Sequence, residues 1–349
     1  MSFLTKFLSR QNKERKFICT GVFSQVYVYH DGRVFLCPDC YTSPKAQIGN
    51  MNELSFDDIW NSPKAQEIRR NTLNGIYPMC NPKSCREETN FNAKVIPQKH
   101  TDFSAVQKKY PKMVCLGPDW ECNVNCIMCR PNLARLTEEQ LKDFNEKIDK
   151  WYIPMLKDAE ELTVSTTSDP FGSRNVRLLL QKASKKYPKL RYNLMTNGIL
   201  SDKYNCKELG INDKMNKIMF SIHASNRDTY EKVVKNGNFE KMCENLRWFS
   251  ELKEQKKIKE LYLGFVVSSK NYTDIPDFCE FARKNNAVAL FWMCRDWGGN
   301  LANSDEPLEV WKKDHPKFKE LQEILRSITP ETEYSHFNPY LLNIRDNND

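Results

Sequence analysis

From about residue 113 onward, short runs rich in β-branched, aromatic and leucine side chains alternate with longer amphipathic stretches. The runs at 113–116, 161–165, 190–195, 217–222, 261–267 and 288–292 predict six strands. Between them, apolar residues recur at three- and four-residue spacing and predict helices near 137–158, 174–187, 202–211, 227–256 and 272–285. Thr137 followed by Glu138-Glu139-Gln140 is a capping box opening the first of these. Strands separated by helices build right-handed βαβ units on a parallel sheet. Six such units predict an α/β fold, a partial (β/α)6 TIM-like barrel, whose chemistry belongs at the C-terminal ends of the strands.

The first 90 residues follow another pattern. Residues 26–36 look like a hairpin turning at Asp31-Gly32, and 55–73 carry Phe56, Ile59, Trp60 and Ile68 at helical spacing. One hairpin and one helix bury too little surface to stand alone, so the cysteines around them point to a metal centre as the staple of a small α+β domain. The organisation expected is therefore a cluster domain at 1–90, a linker at 91–112 containing Pro97 and Pro111, a barrel at 113–300, and a helix near 307–327 with a polar tail in 301–349.

Composition narrows the class. Among 349 residues, 40% are hydrophobic, enough for a sizeable core, and no apolar run approaches the roughly 18 residues of a membrane span. The opening MSFLTKFLSRQNKERKF has no apolar h-region, so no secretory signal is read and a cytoplasmic location is expected. Lys and Arg number 53 against 45 Asp and Glu, a spread-out excess of +8 that suits a phosphate-bearing partner without singling out nucleic acid. The 13 cysteines are an odd number without an export signal, which argues against a disulfide framework. Cys122, Cys126 and Cys129 crowd into eight positions, and Cys19, Cys37, Cys40, Cys80 and Cys85 fall in the first 90, whereas Cys115, Cys206, Cys243, Cys279 and Cys294 are scattered.

The crowded trio reads C-x3-C-x2-C just after the first predicted strand. Three thiolates on one tight loop hold three irons of a 4Fe–4S cube and leave the fourth open, as a reactive cluster needs. A zinc knuckle with a distant fourth ligand is the alternative. This spacing in this place resembles the radical S-adenosylmethionine (radical SAM) enzymes. That resemblance implies that the amino and carboxylate groups of SAM chelate the open iron, and that one electron cleaves SAM to a 5′-deoxyadenosyl radical. It extends to later strand ends. The segment 165–171 resembles the family's loop for the SAM ammonium, with Thr167, Ser168 and Asp169 as contacts. Thr196-Asn197-Gly198 resembles a family TNG segment, with Asn197 toward the ribose. Ser221-Ile222-His223-Ala224 resembles S-x-D-A, with Ser221 and His223 as contacts and His223 standing where an acid is usual. Lys235 stands where an arginine for the SAM carboxylate is often found, and Met128 replaces an aromatic residue.

The N-terminal cysteines, with Gly32 to Cys37, 48–50, 58–63 and Arg69-Arg70, resemble twitch, the shortened form of the SPASM auxiliary-cluster module, here placed before the barrel instead of after it. The resemblance implies a second 4Fe–4S cluster on Cys19, Cys37, Cys80 and Cys85 with Cys40 as a spare. The alternative is a four-cysteine zinc site on Cys37, Cys40, Cys80 and Cys85. Cys294, in the stretch 291–298 at the end of the sixth strand, is either core filler or a hydrogen-atom donor, with Arg295 beside it for an anion. Taken together, these features lead to the expectation of a radical SAM oxidoreductase. It would act on a sugar-like or phosphorylated small molecule, draw electrons from a flavodoxin- or ferredoxin-type donor, and pass one to the auxiliary cluster. A peptide maturase, an epimerase and a zinc-stabilised binding module are the competing readings.

Overall fold

The computed structural model describes residues 17–37, 46–80, 95–97, 103–130, 132–164, 168–296, 301, 305–329 and 334–346. Two compact units interleave along the chain: Met1–Pro118 with Glu146–Thr163, and Asp119–Asn145 with Val164–Asp349.

In the first unit, β1 (Phe17–Cys19) pairs antiparallel with β5 (Val95–Pro97). The hairpin forms as expected: β2 (Gln25–Tyr29) and β3 (Arg33–Phe35) place Tyr27 opposite Phe35, and Gly32 turns between them at φ 84°. A side chain at Gly32 would be strained, and a Cβ there would lie 2.5 Å from Asn50 Oδ1. β4 (Gln47–Asn50) extends this ribbon beside β3. On its other edge β2 runs parallel to β6 (Met113–Gly117), Val26 opposite Val114. Four of the five residues of β2 and all five of β6 are buried, which is why both read as continuous runs. β8 (Glu161–Val164) starts beside β6, the amides of Glu160 and Glu161 both bonding Lys112 O.

The helix expected over 55–73 is two helices, Phe56–Trp60 and Pro63–Leu73. Ser62 breaks them: its hydroxyl accepts from Ala65 N and donates to Ile48 O, while Pro63 fills the first helical position, where its missing N–H costs nothing. Arg69 is completely buried on the second helix and donates to the carbonyls of Val22, Trp60 and Ala105 with its guanidinium 4.2 Å from the Trp60 ring. The helix near 137–158 forms as Glu138–Lys147, a wider π-helical turn at Ile148–Tyr152, and Ile153–Met155. Pro154 accounts for the wider turn, since its ring would collide with the Lys150 carbonyl in a regular helix.

The second unit holds the parallel run β9 (Arg191–Thr196), β10 (Met215–Ser221), β12 (Glu260–Val267), β13 (Val288–Met293) and β14 (Ser335–Phe337), side by side in that order. The first four were expected. β14 falls in the stretch read as a polar tail, and Phe337 earns its place by stacking on Phe291 at 4.1 Å. Two helical expectations are corrected. The single helix over 227–256 is Arg227–Val233 and Phe239–Glu254, separated by β11 (Val234–Lys235) and by Asn236 at φ 60°, with Asn238 capping the second helix at Lys241 N. The helix near 307–327 is only Phe318–Ser327, because the proline at 316 disfavours helical backbone in the residue before it. The mostly parallel sheets with helical crossovers are the α/β, TIM-like class expected. Among the described residues no helix is long and apolar enough to cross a membrane.

Candidate metal centre

The cysteine trio lies on a loop tied down by backbone bonds. Cys122 N donates to Ala134 O at 3.2 Å and Cys129 N to Cys126 O at 2.9 Å. The two residues Asn125–Cys126 form a short strand, β7, antiparallel to β11, with Cys126 opposite Val234; Ile127 N continues the ladder to Val233 O. That pairing is what interrupts the helix predicted over 227–256. Cys122 and Cys126 are half-buried and Cys129 is exposed. Burial, then the neighbouring thiols, push the free Cys126 thiol well above its ordinary value, and burial raises Cys122. Arg130 Nε sits 3.3 Å from Cys129 Sγ, a cation beside the thiol group. Among the described residues no three metal-ligating side chains have closed around a common point. The donor set nevertheless fits an iron–sulfur cube: all three groups are thiols, on one loop, where metal binding would displace their protons.

The end of β9 grips this loop. Asn197 Nδ2 donates to Asn123 Oδ1 at 2.9 Å and approaches Cys122 Sγ at 3.9 Å, while its Oδ1 accepts from Ile199 N. Asn123 presses on Gly172, where a Cβ would lie 2.5 Å from Asn123 Oδ1. Asp169 organises the turn behind them: one oxygen accepts from Phe171 N and Gly172 N, the other from Thr196 Oγ1 and Asn197 N. Burial holds its carboxyl above the usual range despite those four donors. Just before Cys122, buried Glu121 accepts from Arg174 N and from the Arg174 guanidinium, which also bonds Leu136 O. Burial would raise the Glu121 carboxyl, but Arg174 outweighs it and holds it below the usual range. Asp119, also buried, accepts from Ser173 Oγ at 2.6 Å.

Of the residues expected to meet SAM, the structure brings Asp169 and Asn197 to the cysteine loop, both bonded within the protein. Ser168 is half-buried in the same turn; Thr167 lies outside the described residues. Ser221 ends β10, and its hydroxyl has no partner among the described residues. His223 follows at φ 65°, 7% exposed, its Nδ1 accepting from Val266 N at 3.1 Å; burial lowers its pKa to about 4. Lys235 is exposed, its ammonium on Glu231 O at 3.1 Å. Cys294 is fully buried, its thiol pushed up to about 12 by burial. The sequence reading missed Asn123, Glu121 and Arg174; the run of polar residues around the cysteines was the available signal, but their partners lie about 53 to 75 residues away.

In the first unit, Cys19 ends β1 and donates its N–H to Tyr77 Oη at 3.4 Å, Cys37 follows β3, and Cys80 closes the segment after the Pro63–Leu73 helix. Cys40 and Cys85 lie outside the described residues.

Comparison with known proteins adds to this. Residues 19–86 match the SPASM family, an iron–sulfur cluster-binding domain. The chain is similar to the probable GTP 3′,8-cyclase of Methanocaldococcus jannaschii, 25% identical over 181 residues, covering 48% of this chain and 54% of that protein. It thus spans about half the length of the curated relative it matches. Streptococcus suis SuiB bound to S-adenosylmethionine has 14% identity and a TM-score of 0.42 over 62% of this chain and 47% of that one. Native anSMEcpe with bound AdoMet has 15% identity and a TM-score of 0.38 over 62% and 59%. The SPASM match over residues 19–86 and the similarity to that cyclase accord with the radical SAM resemblance carried by the C-x3-C-x2-C loop. The matched family binds an iron–sulfur cluster, in keeping with the cysteines that residues 19–86 carry.

Proposed function

We propose that this protein is a radical SAM oxidoreductase acting on a small polyhydroxylated or phosphorylated substrate, with a flavodoxin- or ferredoxin-type protein as electron donor. The observation that carries the reading is the trio Cys122, Cys126 and Cys129 on a loop braced by Asn197 and β11, offering three thiols within eight positions. The net charge of +8 and the similarity to a protein named for GTP favour a phosphate-bearing substrate. Cys122, Cys126 and Cys129 would hold a cluster able to supply one-electron reduction of SAM and hydrogen-atom abstraction, and the N-terminal cysteines would hold a second cluster able to accept an electron. The chain's own part is placement. Asp169 fixes the turn carrying Asn197, Asn197 fixes the cysteine loop, and Ser221 and His223 offer to a polar ligand an O–H and an N–H at the end of β10 that have no partner among the described residues.

Anaerobic, reconstituted protein reduced with dithionite in the presence of SAM should release 5′-deoxyadenosine. Replacing Cys122, Cys126 and Cys129 together by Ala should abolish it and leave the iron of the N-terminal site. Product from the triple variant, or a colourless zinc protein, overturns the reading. Deuterium transfer from candidate substrates into 5′-deoxyadenosine identifies the substrate.

A further inference from the structure

Tyr230 is completely buried, and its hydroxyl is one of the buried polar atoms that have no hydrogen-bond partner among the described residues. A buried phenol ordinarily finds an acceptor, so an orphan of this kind calls for a missing group. Its position says which. Tyr230 lies one turn before the end of the Arg227–Val233 helix, and its carbonyl accepts from Val234 N. Val234 is the residue paired with Cys126, and Ile127 N bonds Val233 O, so this last helical turn is laid directly on the cysteine loop. The ring is fixed against Phe239 at 5.4 Å, and the hydroxyl is overlain by Gly237, where a Cβ would sit 2.9 Å from it. No larger residue fits at 237 without moving the phenol. After burial, the groups that act most strongly on the phenol are, in order, the Cys126 thiol, the Cys243 thiol, the Asp169 carboxyl and the Cys122 thiol, so two of the three cysteines of the loop are among them.

We propose that the Tyr230 hydroxyl donates a hydrogen bond to the sulfur of the cluster held by Cys122, Cys126 and Cys129, and so raises that cluster's reduction potential. The inference rests on the assignment of that cluster. The physical basis is that a donor aimed at cluster sulfur stabilises the more negative, reduced state. Tyr230 is a tuning residue.

The test is Tyr230→Phe, which keeps the ring and removes only the donor. In reconstituted protein, iron content should match the parent, and an EPR-monitored titration should place the midpoint of the SAM-binding cluster at a more negative potential. In metal-free protein the same change should raise the thermal midpoint, because the orphaned hydroxyl is gone; in cluster-loaded protein it should not. Full iron with an unchanged potential, or equal stabilisation of both forms, overturns the proposal. If the parent protein itself binds no iron at these three cysteines, the cluster assignment has failed instead. Should Tyr230→Phe load poorly, the metal-free melting curves decide, and a midpoint no higher than the parent's overturns the proposal.

Discussion

The side-chain amide of Asn197, at the end of β9, donates to Asn123 Oδ1 across 2.9 Å, inside the loop that separates Cys122 from Cys126. The two residues are 74 apart in sequence, yet their bond sets the spacing of the first two thiols. Asn197→Ala leaves Asn123 Oδ1 without its donor, at a cost of about 1–3 kcal/mol. Reconstituted Asn197→Ala should therefore lose iron faster than the parent on challenge with a chelator, with the N-terminal site unaffected. Gly172→Ala should act similarly from the other side, by displacing Asn123. Iron release at the parent's rate in both variants would show that the loop holds itself.

For the N-terminal domain, Cys19→Ser should remove close to half of the total iron, and Cys40→Ser should retain all of it. Cys19 is carried on β1 against Tyr77, a position suited to a ligand of the auxiliary cluster. Iron and zinc analysis of the two variants distinguishes this from a zinc site on Cys37, Cys40, Cys80 and Cys85, for which the pattern reverses.

Arg69→Met should destabilise the first unit by on the order of 3 kcal/mol, read as a lower denaturant midpoint. Burial lowers the guanidinium to about 10, and it has no carboxylate to offset that cost; what holds it is the set of carbonyls of Val22, Trp60 and Ala105. Removing the donors strands those carbonyls, whereas Arg69→Lys, which reaches fewer of them, should fall between.

His223 should make stability depend on acid. Its imidazole takes a proton at about 4 when folded and at the ordinary 6.5 when unfolded, so between those values the unfolded chain binds the extra proton. The stabilisation is complete above about pH 6.5 and is lost as pH falls toward 4, by at most about 3 kcal/mol at 1.36 kcal/mol per pH unit. His223→Asn, which tolerates the positive φ, should flatten that part of the profile in metal-free protein measured by denaturant unfolding. Parallel profiles for parent and variant would exclude His223 as the source.

By itself the sequence determined the six longer strands from residue 113 onward, most of the helices, the Asp31-Gly32 hairpin and the cysteine loop. Each is written in local terms, as a period of two or 3.6, a turn dipeptide, or ligands within eight positions. Tertiary structure decided where those terms gave way. Residues 227–256 keep a helical period throughout, but Val234 and Lys235 leave the helix because their backbone completes a ladder with Asn125–Cys126. Likewise β2 reads as half of an isolated hairpin and proves to be the parallel neighbour of β6, because both of its faces are buried. The same holds for the groups around the thiols. Asn123, Glu121 and Arg174 are unremarkable in sequence, and their roles come from partners that only folding brings near. A hydrogen bond is decided by the last ångström of separation between atoms, and the linear order of residues carries no record of that distance.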